Sequence, residues 1–173
     1  SKINKPYIVI NPAASKQERN WLLERYIGLI KQIELTSPQL EIILTGSAND
    51  LLMHQEITSK AKAISLAGKT TLKQLAAVLD RALCLIAPDT GPVHIATAMH
   101  TPVIGLYAVI TSKLSGPYLS QDLTIDKYPQ AVREILKQEP ATIAWGARVH
   151  SSKAMELITV DEVMAKFQTL NII

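Results

Sequence analysis

The chain has 173 residues, of which 47% are apolar and 19% charged; that composition excludes intrinsic disorder and suits one domain of ordinary size. The net charge is only +3 and no five-residue run is mostly basic, so no nucleic-acid partner is expected, while a small phosphorylated ligand stays open. The single cysteine, Cys84, excludes an internal disulfide, and no apolar stretch approaches the roughly 20 residues of a transmembrane segment.

Short apolar runs alternate with amphipathic segments along the chain. Tyr7 to Ile10 reads as the first strand. Glu18 to Glu34 repeats Trp21, Leu22, Arg25, Tyr26, Leu29, Ile30 and Ile33 at helical spacing, and Pro38 closes the connection. A second strand, Leu40 to Thr45, leads to a helix over Asn49 to Lys60; a third strand, Ala63 to Leu66, leads to a helix over Thr71 to Asp80. Thr71 and Gln74 have capping-box spacing there. Strand four, Leu83 to Ala87, precedes a helix over Gly91 to His100, and Pro102 to Leu106 is strand five. Further on, Thr111 to Tyr118 is loop-like, Leu123 to Ile125 suggests a sixth short strand and Gln130 to Lys137 a helix. Pro140 to Ser152 has no clear period. A last helix, Val160 to Leu170, follows Thr159, which pairs with Glu162 in another capping box. The expected fold is α/β: a Rossmann-like parallel sheet with helices on both faces, forming one domain over residues 1–173.

In such a sheet, ligands bind beyond the carboxyl ends of the strands, where helix amino termini attract anions. The loop after strand four, Asp89-Thr90-Gly91-Pro92-Val93-His94, carries the strongest signal. Gly91 lets a ligand approach the backbone, Pro92 suits a first helical turn, and the Thr90 and Gly91 amides could meet a phosphate. Asp89 would accept from hydroxyls at the strand tip, with His94 one turn into the helix on the same crevice. The alternative is that Asp89 or Thr90 merely caps the helix and His94 packs beneath it.

The order Gly68-Lys69-Thr70-Thr71-Leu72, then Asp89-Thr90-Gly91-Pro92-Val93-His94-Ile95-Ala96-Thr97-Ala98, then Thr101-Pro102-Val103 resembles the carboxyl-terminal half of bacterial lipopolysaccharide heptosyltransferases, glycosyltransferase family 9. Asn11-Pro12-Ala13-Ala14-Ser15, Trp21 and Gly46 agree with the same order. The resemblance implies one half of a GT-B fold, a donor-binding domain for ADP-heptose. The full-length parent would pass heptose to a lipopolysaccharide core acceptor, without a metal or other cofactor. Carried over residue by residue, it implies that Asp89 meets sugar hydroxyls while Thr90, Gly91 and His94 approach the diphosphate. Ser15 keeps one of two family hydroxyls, the other position being Ala14. Arg19 stands where the family has a phosphate-binding lysine, with Lys16 as a rival. Asp50 would bind ribose, or else start a helix; Thr70 would meet adenine.

No catalytic residue is expected in this chain: the general base is expected in an amino-terminal acceptor domain lying outside it. His54, His94, His100 and His150 have no metal-ligand spacing. The segment Ser1 to Lys5 lacks a leader-like apolar region, and the expected location is cytoplasmic, peripheral at the inner membrane for a full-length parent. Two other readings stay open: a GT-B domain for another nucleotide sugar, and a non-catalytic nucleotide-binding module.

Overall fold

A computed structural model describes residues 5–172, so most of the segment read as lacking a leader lies outside the described residues. Six strands form one sheet: β1 (Tyr7–Ile10), β2 (Glu41–Leu44), β3 (Ile64–Ser65), β4 (Leu85–Pro88), β5 (Val103–Tyr107) and β6 (Ile125–Asp126). Their order is β3-β2-β1-β4-β5-β6 and every pairing is parallel. Strand order therefore reverses between β1 and β4, which opens a crevice at their carboxyl ends.

The period of two along each strand divides the core. From β1, Ile8 and Ile10 join Leu44, Ile86 and Leu106 on one face, against Tyr26, Leu29, Ile30 and Ile33 of α1 (Leu23–Thr36) and Ile57 of α2 (Leu51–Lys60). Val163 and Phe167 of α7 (Val160–Thr169) complete that layer. Tyr7 and Val9 turn the other way, with Ile43, Leu85, Ala87 and Val103. They are covered by Leu79 of α3 (Leu72–Asp80) and by Val93 and Ala96 of α4 (Gly91–Ala98). A strand buried on both faces needs apolar side chains at every position, and for that reason Tyr-Ile-Val-Ile and Leu-Ile-Ala-Pro are unbroken apolar runs.

Several segments depart from the sequence reading. The helix expected from Glu18 is split into a 3-10 turn at Gln17–Arg19 and α1, which starts at Leu23. The break arises because the Asn20 side chain accepts the Ala14 amide at 2.7 Å and because Trp21 turns inward, its Nε1 donating to the Ile158 carbonyl at 2.9 Å. Thr111 to Tyr118 contains one helical turn, α5 (Ser112–Ser115), started by Thr111, whose hydroxyl accepts the Lys113 amide. The helix expected over Gln130 to Lys137 is α6 (Tyr128–Ala131) continued by a π-helical turn, Val132–Leu136, and stopped by Lys137 at φ 56°. Both predicted capping boxes are present, Thr71 with Gln74 and Thr159 with Glu162.

Candidate functional site

The carboxyl ends of β1, β2, β3 and β4 feed loops that enclose a cleft of about 500 Å³, lined among others by Asn11, Ser15, Asp50, Thr70 and Thr90. Each wall has a local cause. Buried Asn11 donates to the Ala13 carbonyl at 2.7 Å and accepts the Thr45 hydroxyl at 3.1 Å, which pins the β1 and β2 ends together. Gly68 has φ +66°, and a Cβ there would stand 3.0 Å from Ala48 backbone; only glycine lets the Thr70 loop close over the β2 turn. Asn11 and Asn20 thus hold the site's shape, a role the sequence reading did not assign. The signal was a polar residue ending an otherwise apolar strand.

The helix starts around this cleft differ in one respect. At α3 the box of Thr71 and Gln74 occupies first-turn amides; α2 is preceded by a 3-10 turn, Ala48–Asp50, that Ser47 and Asp50 box, so α2 continues from that turn without a side-chain cap of its own. At α4 the Thr90 side chain makes no cap hydrogen bond. Gly91 is exposed, and a Cβ on it would meet nothing within 4 Å. The α4 terminus is therefore an open set of amide donors at the point where strand order reverses, the arrangement that holds anions in open α/β sheets.

The sequence-predicted residues fall into two groups. Ser15, Asp50, Thr70 and Thr90 line the cleft. Arg19 and Asp89 do not line it; they form an ion pair, Nη1 to Oδ2 at 3.0 Å, with side chains only 15% and 12% exposed. Arg19 Nε is buried beside that pair with no partner among the described residues. Asp50 acts as a helix-start acid, Oδ2 accepting the Ser47 amide at 2.6 Å and the Ser47 hydroxyl at 2.8 Å. His94 was expected on the same crevice but is exposed on the neighbouring groove between α3 and α4, beside Lys73, Ala76 and Ile95. The cause is helical spacing: Val93 and Ala96 take the sheet-facing positions, which turns His94 outward. Lys16, the rival cation, is exposed beside Ser15.

Electrostatics tie the cleft to its surroundings. Among the described residues Asp50 is the one charged side chain lining it. His54 is fully buried, with Nδ1 on the Ser65 hydroxyl at 2.9 Å and Nε2 unpartnered among the described residues. Burial holds its imidazole below the ordinary value, against an opposing pull from Asp50. Tyr107, at the end of β5, is almost fully buried; burial first, then the Asp89 and Asp126 carboxylates, push its hydroxyl well up. Among the described residues no three His, Cys, Asp or Glu side chains gather closely enough to hold a metal ion, and no helix is long and apolar enough to cross a membrane.

Comparison with known proteins bears on this arrangement. The glycosyltransferase family 9 (heptosyltransferase) pattern matches residues 1–141. Lipopolysaccharide core heptosyltransferase OpsX of Haemophilus influenzae is 29% identical over 171 residues, which cover 95% of this chain and 48% of that protein. The Escherichia coli ADP-heptose lipopolysaccharide heptosyltransferase II structure superimposes with a TM-score of 0.73 at 24% identity, covering 98% of this chain and 47% of that one. Escherichia coli heptosyltransferase WaaC with ADP gives 0.72 at 18%, covering 98% and 46%. The chain thus spans about half the length of the relatives it matches, and its fold is the Rossmann-like half of a GT-B glycosyltransferase. With the family pattern running through every cleft-forming loop from Asn11 to Pro92, the chain belongs to glycosyltransferase family 9, the heptosyltransferases.

Proposed function

We propose that this chain is the donor-binding domain of a heptosyltransferase that takes heptose from ADP-heptose and passes it to a lipopolysaccharide core acceptor. The observation that carries the reading is the uncapped amino terminus of α4, opening with Gly91 at the rim of a cleft of about 500 Å³. The adenosine end of the donor suits the part of the cleft lined by Thr70 and Asp50, where Thr70 would meet the base and the Asp50 carboxylate a ribose hydroxyl. The diphosphate would then reach the Thr90 and Gly91 amides and the Ser15 hydroxyl, leaving Asp89 for sugar hydroxyls.

In the transfer, an acceptor hydroxyl oxygen bonds to the anomeric carbon as the bond from that carbon to the diphosphate oxygen breaks. The departing ADP gains negative charge, which the α4 amides and the Arg19 or Lys16 cation stabilise. The acceptor proton passes to a base that we place in an acceptor domain outside this chain. A cytoplasmic setting agrees with the free, buried Cys84 thiol.

The test is Gly91→Ala. A methyl there touches no protein atom, so thermal stability should hold while calorimetry shows ADP binding weakened several-fold. Unchanged ADP affinity would remove the diphosphate from α4. A panel of ADP, UDP and GDP on the parent chain separates ADP-heptose from other nucleotide sugars, and no binding of any would defeat the donor reading.

A further inference from the structure

A second cleft of about 440 Å³ opens on the same edge of the sheet, at the ends of β5 and β6. Its floor is rigid. Asp126 Oδ2 accepts the Thr111 hydroxyl at 3.0 Å and the Ser112 amide and hydroxyl, each at 2.8 Å; Oδ1 accepts the Tyr128 amide at 2.9 Å. The 140–147 loop forms the opposite wall and is fastened by Tyr128, whose hydroxyl donates to the Ala147 carbonyl at 2.7 Å. The Val149 amide fastens its exit to the Val109 carbonyl at 2.8 Å.

Two lining groups are spent on nothing in the fold. Trp145 presents its indole 72% exposed, although tryptophan is normally highly buried. Lys113 is exposed and forms no ion pair among the described residues. Among the described residues Asp126 is the only carboxylate in the wall, and both its oxygens already accept hydrogen bonds. An open aromatic face and a free cation, beside a carboxylate whose oxygens are already engaged by the fold, favour a ligand with an apolar C–H face, hydroxyls and a negative group. A saccharide carrying a carboxylate or phosphate has all three.

Position supports the assignment. Adjacent strands lie about 4.8 Å apart, so this cleft begins one strand beyond Asp89, and buried Tyr107 stands between the two, under the influence of both Asp89 and Asp126. We infer that the cleft walled by Trp145 and Lys113 binds an anionic saccharide, so that this chain, as well as the acceptor domain outside it, would contact the acceptor beside the donor sugar at the β4 end. This rests on the proposed donor reading for its role in transfer, though not for the binding itself.

Nitrogen-15 spectra of the 173-residue chain test it, because the two tryptophans give two indole signals and buried Trp21 is the internal control. Galacturonate and glucose 6-phosphate, at millimolar concentration, should shift the Trp145 signal saturably and leave Trp21 still; the two probes tell carboxylate from phosphate. Glucose should need about fivefold more, and Lys113→Gln should bring the charged sugars down to glucose. In Trp145→Ala, with the Gly146 amide as reporter, binding should fall about tenfold. Inorganic phosphate should leave Trp145 unmoved. A Trp145 signal that answers to none of the sugars overturns the inference, as does one that answers equally to glucose and the charged sugars. ADP is titrated into the same sample: shifts at Thr90 and Gly91 with Trp145 silent to sugars defeat this site alone, whereas sugar binding without ADP binding defeats the donor reading alone.

Discussion

Replacing Asp89 by Asn should have opposite effects on two ligands. In the free protein Asp89 holds Arg19 at 3.0 Å, and little water screens the pair. Coulomb attraction at that distance and an effective permittivity near 20 is about 5 kcal/mol. Desolvation of two side chains that keep 15% and 12% exposure cancels about half of it, leaving roughly 2–3 kcal/mol of coupling. The variant keeps the side-chain volume and loses the charge, so Arg19 is left buried and uncompensated, with its Nε already unpartnered. The melting temperature should fall by roughly 5–10 °C for a domain of this size. At the same time Arg19 is freed from a competing anion. ADP should bind several-fold more tightly, while the preference for ADP-heptose over ADP should shrink, because a neutral amide oxygen accepts sugar hydroxyls more weakly than a carboxylate does. Thermal melts and calorimetry on both ligands read the two effects. A variant as stable as the parent would refute the energetic argument, and weaker ADP binding would show that Arg19 and the diphosphate do not compete for each other.

Gly105→Ala should cost about 1–3 kcal/mol in urea unfolding, because the new methyl would stand 2.7 Å from the ring of buried Tyr107 and 3.2 Å from the Thr124 hydroxyl; a loss below about 0.5 kcal/mol would mean β5 relaxes freely. Burial lowers the His54 imidazole, so the unfolded chain binds its proton more readily. The His54 contribution is complete above about pH 6.5 and declines as pH falls below it, and His54→Gln should flatten that slope in pH-dependent melts. Burial pushes the Cys84 thiol up to about 12, so thiol reagents should label it at the rate of unfolding and not faster; rapid labelling of the native chain would contradict its burial.

The strands were legible because burial on both faces demands uninterrupted apolar runs, as in Tyr7 to Ile10, and the crevice was legible because a parallel sheet places its loops at strand carboxyl ends. Thr71 and Thr159 could be read as caps because a capping box is a local, three-residue relation. What stayed hidden depends on residues far apart in the chain. Arg19 and Asp89 pair across 70 positions, so nothing near either reveals that each is already occupied. The Glu18 to Glu34 periodicity is genuine in its apolar spacing, yet it breaks at Asn20 and Trp21, whose partners are Ala14 and Ile158. Asp50 shows the local relation winning: Ser47, three residues earlier, claims its carboxylate. His94 was misplaced because one turn into a helix does not say which side of it faces the crevice.

The carbonyl of Ile158 receives both the Trp21 indole and the Arg25 guanidinium, and α7 beyond it lies against α1, held by Lys127 to Glu162 at 2.5 Å and by Lys166 to the Asp122 carbonyl at 2.6 Å. The sheet covers the inner side of α1 as soon as β1, β2 and β4 have assembled, but the flank of α1 that meets α7 stays open until that late helix has been made. During synthesis the β1 to β5 portion can gather around α3 and α4, while the layer on the other face stays incomplete. A nascent chain stalled before Ile158 would present Tyr26, Ile30 and Ile33 incompletely sheltered, a natural target for chaperones that grip apolar helices.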